Sequence, residues 1–276
     1  MPESFKACVT TKAPDLAEQF FEASGAVAQA VGLPDADGTR IEAYFTAPPY
    51  FDVLPFPHID FTVVSVPDED WVTRSQQNLP PVPVAPFFLF GNHDRPRWRR
   101  ARHHIEMEAG MAFGSGHHDT TQGCLHLLAN VLKKGVPDAC ADIGTGSGVL
   151  AIAAAKAGCR RIFASDNDPE AVRVATQNFK LNTLPRHITP VCCAGLAHRA
   201  ARQAGPYNLI MANILAAPLF NLAPAIAAQL APAGQVILSG LLHEQRQRII
   251  ARYRQAGLIL CKDIRLGPWT SLLFQR

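Results

Sequence analysis

The sequence predicts a doubly wound, mostly parallel α/β sheet preceded by a small α+β unit. Three observations predict it. Strand-like and helix-like segments alternate regularly after Glu106, which is the pattern of a parallel sheet with helical crossovers. A glycine-rich turn, Gly144-Thr145-Gly146-Ser147-Gly148, leaves one such strand and enters a helix. Thirteen of the 22 prolines lie before Glu106, so the two parts differ in composition. The boundary is placed at 92–105, which gives a first unit over 1–91, a linker, and a second unit over 106–276.

In the first unit, Phe5 to Thr11 reads as a strand and Pro14 to Val31 as a helix. Pro14 suits a first helical turn, and Leu16, Phe20 and Phe21 share one helical face. Ile41 to Thr46 and Ile59 to Val66 are rich in β-branched and aromatic residues and read as strands. Asp68 is placed to cap a short helix to about Gln77. Val82 to Phe90 reads as a last strand, kept at a sheet edge by its prolines. The resulting β-α-β-β-α-β order is that of a ferredoxin-like split βαβ unit.

In the second unit, the spacing predicts strands at Asp138–Ile143, Arg161–Asp166, Ile188–Cys192, Tyr207–Ala212 and Gln235–Ser239. Helices are predicted at Val149–Ala157, Pro169–Leu181, Pro218–Leu230 and His243–Ala256. Leu258–Ile264 and Ser271–Phe274 are expected to pair as a closing hairpin.

Composition sets outer bounds. The chain has 276 residues, 48% hydrophobic and 18% charged, which excludes wholesale disorder. Its apolar runs, such as Val149 to Ala155, are far below the ~18 residues a bilayer span needs. The opening residues Met1 to Lys6 lack a basic region followed by an apolar run. The expectation is a soluble, cytoplasmic protein with no membrane contact. A net charge of +3 is too mild for nucleic-acid binding through bulk electrostatics. The seven cysteines are an odd number and contain no pair of Cys-x-x-Cys units. Neither structural zinc nor a disulfide framework fits, and packed thiols in a reducing compartment are expected instead.

Four segments carry chemistry. The first is Asp142 to Gly148, where glycines permit a sharp turn and let a ligand approach the backbone. Its spacing is neither that of dinucleotide folds nor that of a phosphate-binding loop with lysine. The second is Asp166, 22 positions after Gly144, at the end of the next strand. A carboxylate there can accept both hydrogen bonds of a ribose diol. Asp168 reads instead as the helix cap before Pro169. The third is Asn213, a polar residue leaving an apolar strand, either a ligand group or the cap of the following helix. The fourth is Ala112-Phe113-Gly114-Ser115-Gly116-His117-His118-Asp119-Thr120-Thr121. Its adjacent histidines lack metal-ligand spacing, and no metal is expected. Glycines that let a loop fold over a ligand, with Thr121 adding a hydroxyl from a helix start, fit better.

Together these segments, with Ala212-Asn213-Ile214-Leu215-Ala216 and Leu238-Ser239-Gly240-Leu241-Leu242, make residues 106–276 resemble a class I S-adenosylmethionine-dependent methyltransferase with a Rossmann-like sheet. More narrowly, they resemble the PrmA family, which modifies large-subunit ribosomal protein eleven. The family usually reads Ala-Phe-Gly-Thr-Gly-Thr-His-Pro-Thr-Thr, so Ser115, His117 and Asp119 depart from it. Thr145 stands where cysteine is common, and Glu108-Ala109-Gly110 replaces Asp-Pro-Gly.

The resemblance implies that S-adenosylmethionine is the cofactor and that a ribosomal protein is the substrate, recognised by the ferredoxin-like unit. It implies that Thr121 and the loop holding Phe113 and Gly116 close over the methionine end. Gly144 and Gly146 would pass beneath the cofactor, and Asp166 would bind the ribose. Asn213 would hold the methionine portion or orient the incoming amine, as the candidate catalytic residue. Lysine and N-terminal amines are the expected acceptors. The amine must lose its proton before attack, and alignment in a dry site supplies the catalysis. His117 and His118 are either a general base or loop-forming residues.

Asn213 is followed by Ile214-Leu215 and not by Pro-Pro and an aromatic, which argues against a flipped nucleic-acid base. Arg95, Arg97, Trp98, Arg99, Arg100, Arg102, His103 and His104 form a basic stretch, either a solvated linker or a weak ribosomal RNA contact. A monomer is expected. The competing readings are a lysine methyltransferase for another protein and a cofactor-binding, ribosome-associated module that has lost transfer.

Overall fold

The computed structural model describes residues 4–24, 26, 28–31, 36–45, 48–49, 51, 54, 56–66, 81–91, 102–107, 119–185 and 188–276. By its contacts the chain divides into two compact units, Met1–Trp71 and Val72–Arg276. Among the described residues no helix is long and apolar enough to cross a membrane.

The first unit runs β1 (Ser4–Thr11), α1 (Pro14–Ala23), β2 (Ala28–Val31), β3 (Thr39–Phe45) and β4 (Asp60–Val66). Its sheet has the order β2-β3-β1-β4, with every neighbouring pair antiparallel. Because β3 opposes both β1 and β2, those two run parallel with β3 between them. This is the split βαβ arrangement of a ferredoxin-like sheet.

The expected strands are not all the observed ones. The helix from Pro14 stops at Ala23 instead of Val31, and Ala28–Val31 is the second strand. The stop signal is Ser24-Gly25: Ser24 Oγ donates to Phe20 O at 2.7 Å and Ala26 N to Phe21 O at 2.9 Å. The sheet is therefore complete by Val66. The expected helix from Asp68 to Gln77 lies outside the described residues. The core is Ala17 and Phe21 of α1 laid on Ala7, Val9, Ile41, Ala43 and Phe45. Phe20, Phe51 and Phe56 close its edge with tilted ring contacts.

The second unit opens with a three-stranded sheet, β5 (Val82–Val84), β6 (Phe87–Gly91) and β7 (His103–Met107). The single strand expected over Val82–Phe90 is a hairpin, turned at Ala85-Pro86. Proline lacks the N–H that a continuing ladder would need. β7 contains residues 103–105, which the sequence reading placed in the linker. It pairs parallel with β6.

Then follow α2 (Asp119–Leu132), β8 (Ala139–Ile143), α3 (Val149–Lys156), β9 (Arg161–Asp166), α4 (Pro169–Leu181) and β10 (Pro190–Cys192). The chain continues through α5 (Arg199–Ala204), β11 (Tyr207–Asn213), α6 (Ala216–Gln229) and β12 (Leu230–Leu242). It ends with α7 (Arg246–Gln255), β13 (Ile259–Leu266) and β14 (Trp269–Gln275). The seven-stranded sheet has the order β10-β9-β8-β11-β12-β14-β13. Neighbours are parallel except at β14, which opposes both β12 and β13.

Both faces of this sheet are covered, so its central strands are apolar over most of their length, with Asp142 and Asn213 as polar exceptions near their carboxyl ends. Cys140, Leu209, Met211 and Ile237 face α2, α3 and α4. Ala139, Ala141, Ile143, Ile210, Ala212 and Val236 face α5, α6 and α7. Val84, Phe87, Leu89 and Ile105 of the three-stranded sheet extend the first of these cores. Helix α3 lies within that core and buries six consecutive residues, Val149 to Ala154.

Candidate functional site

The strand order reverses direction at β8, whose neighbours are β9 on one side and β11 on the other. In open α/β sheets ligands bind at this switch point, outside the carboxyl ends of the strands. The predicted residues converge there: Asp142 to Gly148 after β8, Asp166 at the end of β9, and Asn213 at the end of β11.

The glycine loop is tied to its surroundings by charge and by backbone. Gly144 has φ +67° and Gly146 φ +53°, conformations that side chains strain to adopt. Thr145 N donates to Ser165 O at 2.9 Å, joining the loop to β9. Gly146 N donates to Asp166 Oδ2 at 2.9 Å, and Asp168 N donates to Asp166 Oδ1 at 3.1 Å. Each carboxylate oxygen thus keeps a lone-pair direction, and the side chain is held still between two backbone donors. That is the geometry needed to accept from a pair of vicinal hydroxyls. Asp168 behaves as expected of a cap, accepting from Glu170 N at 2.9 Å with Pro169 in the first turn.

Asp142 is the residue that the sequence reading left without a role. It is fully buried, and burial pushes its carboxyl up to about 6 against the hydrogen bonds that favour ionisation. Those bonds all reach Oδ2: Thr145 Oγ1 donates at 2.7 Å and Ala151 N at 3.0 Å. Oδ1 has no partner among the described residues. Thr145, a departure from the cysteine common in the family, thereby supplies a stronger donor than a thiol would. The signal that could have found Asp142 is its place as the last acidic residue before the loop, three positions ahead of a hydroxyl.

Asn213 has the same character. It does not cap α6: Leu215 is the cap residue, and no side chain caps there. Its Nδ2 donates to Thr121 Oγ1 at 3.5 Å, and its buried Oδ1 has no partner among the described residues. Thr121 is completely buried in the first turn of α2. Ile214 is pressed from two sides. A Cβ on Gly144 would collide with its side chain, and a Cβ on Gly240, φ +81°, would collide with its backbone. Gly240 sits where the pairing of β12 with β14 slips between Leu238 and Leu241. The segment after Asn213 is therefore fixed by two glycines in distant parts of the sequence.

Phe113, Gly116, His117 and His118 lie outside the described residues, as do Arg95, Arg97, Trp98, Arg99 and Arg100. His103 and His104 are strand residues of β7, where their rings lie against Phe87 and Phe88.

The site fits a nucleoside bearing an amino-acid tail. It offers a braced carboxylate, a backbone cradle kept free of Cβ atoms, and two buried acceptors, on Asp142 and Asn213, that lack donors among the described residues. An ammonium or amine would satisfy them.

A sequence model of the family described as ribosomal protein L11 methyltransferase (PrmA) matches residues 33–276. The chain is 48% identical over 212 residues to the ribosomal protein L11 methyltransferase of Bradyrhizobium diazoefficiens, covering 77% of this chain and 72% of that protein. It is 45% identical over 215 residues to the one from Rhodopseudomonas palustris, covering 78% and 73%. The crystal structure of a ribosomal protein L11 methylase from Lactobacillus delbrueckii subsp. bulgaricus superposes with a TM-score of 0.59 at 30% identity, covering 69% of this chain and 93% of that one. The sheet of Val72–Arg276 is accordingly a Rossmann-like methyltransferase sheet, and the chain belongs to the ribosomal protein L11 methyltransferase (PrmA) family.

Proposed function

We propose that this chain transfers methyl groups from S-adenosylmethionine to lysine and N-terminal amines of ribosomal protein L11. The observation that carries the reading is the Asp166 carboxylate, braced by Gly146 N and Asp168 N beside a left-handed glycine loop. When bound, S-adenosylmethionine supplies a methyl group on a sulfonium, which needs no metal to activate it.

The chain's own residues bind, orient and exclude water. Asp166 accepts from the ribose hydroxyls. Gly144 and Gly146 let the backbone run close beneath the ligand. Asp142 Oδ1 accepts from the α-ammonium, which converts a buried, unpaired carboxylate into a paired one. Asn213 Oδ1 accepts from the incoming amine, and Thr121 holds the amide so that this oxygen faces the site. Phe113 and Gly116 belong to the segment that closes over the methionine end. The amine attacks in its neutral form, so a dry site that lowers a lysine from its usual ~10.4 assists. Residues 1–71 recognise the protein substrate, and the unit Val72–Arg276 catalyses. The enzyme works as a cytoplasmic monomer, and the basic stretch from Arg95 to His104 touches ribosomal RNA weakly.

The test is incubation of the purified chain with S-adenosylmethionine and free ribosomal protein L11, read by mass spectrometry. Methyl increments on L11 amines are expected. Increments only on other proteins would redirect the substrate, and absence of cofactor binding by calorimetry would remove the reading altogether.

A further inference from the structure

The chain's modest net charge conceals a strong internal asymmetry. Residues 191–276 contain nine Lys and Arg against two acids, Glu244 and Asp263. The other residues contain seventeen Lys and Arg against twenty-one Asp and Glu. Asp263 is already engaged, 2.8 Å from Arg246. From Cys193 to Gly234, through the whole of α5 and α6, there is no acidic residue at all.

The fold places five of these cations, Arg199, Arg202, Arg248, Arg252 and Arg254, on helices that cover one face of the sheet. Helices α5, α6 and α7 cover the same face of the seven-stranded sheet and share one core, through Ala201, Leu219, Ala223, Ile249 and Tyr253. Arg199, Arg202, Arg248 and Arg254 are exposed on that layer. Neither these four nor Arg252 forms an ion pair among the described residues. At the seam of α6 and α7, two guanidiniums lie over one ring: Arg248 at 4.7 Å and Arg252 at 5.1 Å from the centroid of Phe220. Arg252 Nε also donates to Phe220 O at 3.1 Å.

Two like charges held on one ring repel each other unless an anion joins them. Stacking on Phe220 also orders the side chains beforehand, leaving guanidinium edges free for bidentate oxygen acceptors. Eight of the nine cations are arginine, the residue suited to forked contact with phosphate.

We propose that the α5–α6–α7 layer is a docking surface for structured RNA, held through its phosphate backbone. A bilayer fits less well, because the exposed positions within α6 and α7 carry no large apolar side chain to insert. Choosing RNA among polyanions rests on the ribosomal substrate proposed above; the cationic surface does not.

The test is fluorescence anisotropy of the full chain with a labelled RNA hairpin, from 50 to 200 mM salt. Binding should weaken steeply with salt, as counterion release requires. The Arg248→Gln/Arg254→Gln variant should bind about tenfold more weakly, with a salt slope smaller by roughly 2. The Arg248→Lys/Arg254→Lys variant should keep the slope. Methylation of free L11 should be unchanged in both, since neither residue belongs to the site at the sheet's carboxyl rim. Salt-independent binding, equal binding by the Gln variant, or preference for phosphatidylserine vesicles over the hairpin would overturn the proposal. RNA binding without methyl transfer would instead count against the proposed activity alone.

Discussion

Asp166 and Asp168 stand two residues apart after β9, and their substitutions should separate. Asp166→Ala removes the acceptor of Gly146 N and, with it, the proposed acceptor of the ribose. Cofactor affinity should fall by ~1–3 kcal/mol in a folded protein, as calorimetric titration would report. Asp168→Ala removes only the cap on Glu170 N, costing about 1 kcal/mol of stability and leaving cofactor affinity as it was. Asp142 adds a pH dependence. Its folded-state carboxyl is raised from 3.8 to about 6 by burial, so the native state holds the proton more tightly than the unfolded chain. The associated stability is complete in acid and is lost as pH rises from about 4 through about 6, a swing of roughly 3 kcal/mol. Asp142→Asn should therefore gain stability relative to wild type on going from pH 5 to pH 8, measured by urea unfolding. An ammonium partner favours the ionised form, so cofactor affinity in the wild type should weaken below about pH 6. A flat affinity profile in the wild type would contradict the pairing of Asp142 with the ligand.

At the scale of elements, the site is held by contacts between segments far apart in sequence. Ile214 follows β11, Gly144 follows β8, and Gly240 sits at an irregularity in β12. Gly240→Ala would place a methyl group against the Ile214 backbone at a left-handed φ of +81°. A main chain cannot rotate away as a flexible side chain can, so the segment holding Asn213 must shift. The expected result is a stability loss of ~1–3 kcal/mol together with a fall in kcat/KM, since Asn213 moves with its neighbour. Thermal unfolding and steady-state kinetics on the same preparation would check it; unchanged kcat/KM would show that the loop tolerates the shift. The first unit shows the same logic in reverse. There the end of α1 is local, written in Ser24-Gly25, and yet the strand that follows it has the sequence pattern of more helix. Ala28-Gln29-Ala30-Val31 carries no strand period of its own, and it becomes a strand only because β3 is there to pair with.

For the whole molecule, the division between Trp71 and Val72 invites truncation. Removing residues 1–71 should spare cofactor binding and abolish methylation of L11, compared by calorimetry and mass spectrometry; full activity in the truncated chain would refute a recognition role for that unit. The sequence by itself determined the class of the larger sheet, the loop that crosses its rim, the carboxylate of β9 and the closing hairpin. These are local signals: strands buried on both faces are mostly apolar, and glycines and helix caps act over a few residues. Tertiary structure alone decided the rest. That Val82–Phe90 folds back as a hairpin beside β7, that Asp142 is a buried acid with an oxygen unpaired among the described residues, that Gly240 presses on Ile214, and that five scattered arginines lie on one helical layer all depend on contacts across tens of residues. Desolvation, steric exclusion and charge proximity arise from distances in space, and a linear pattern records those only where the chain happens to keep neighbours close.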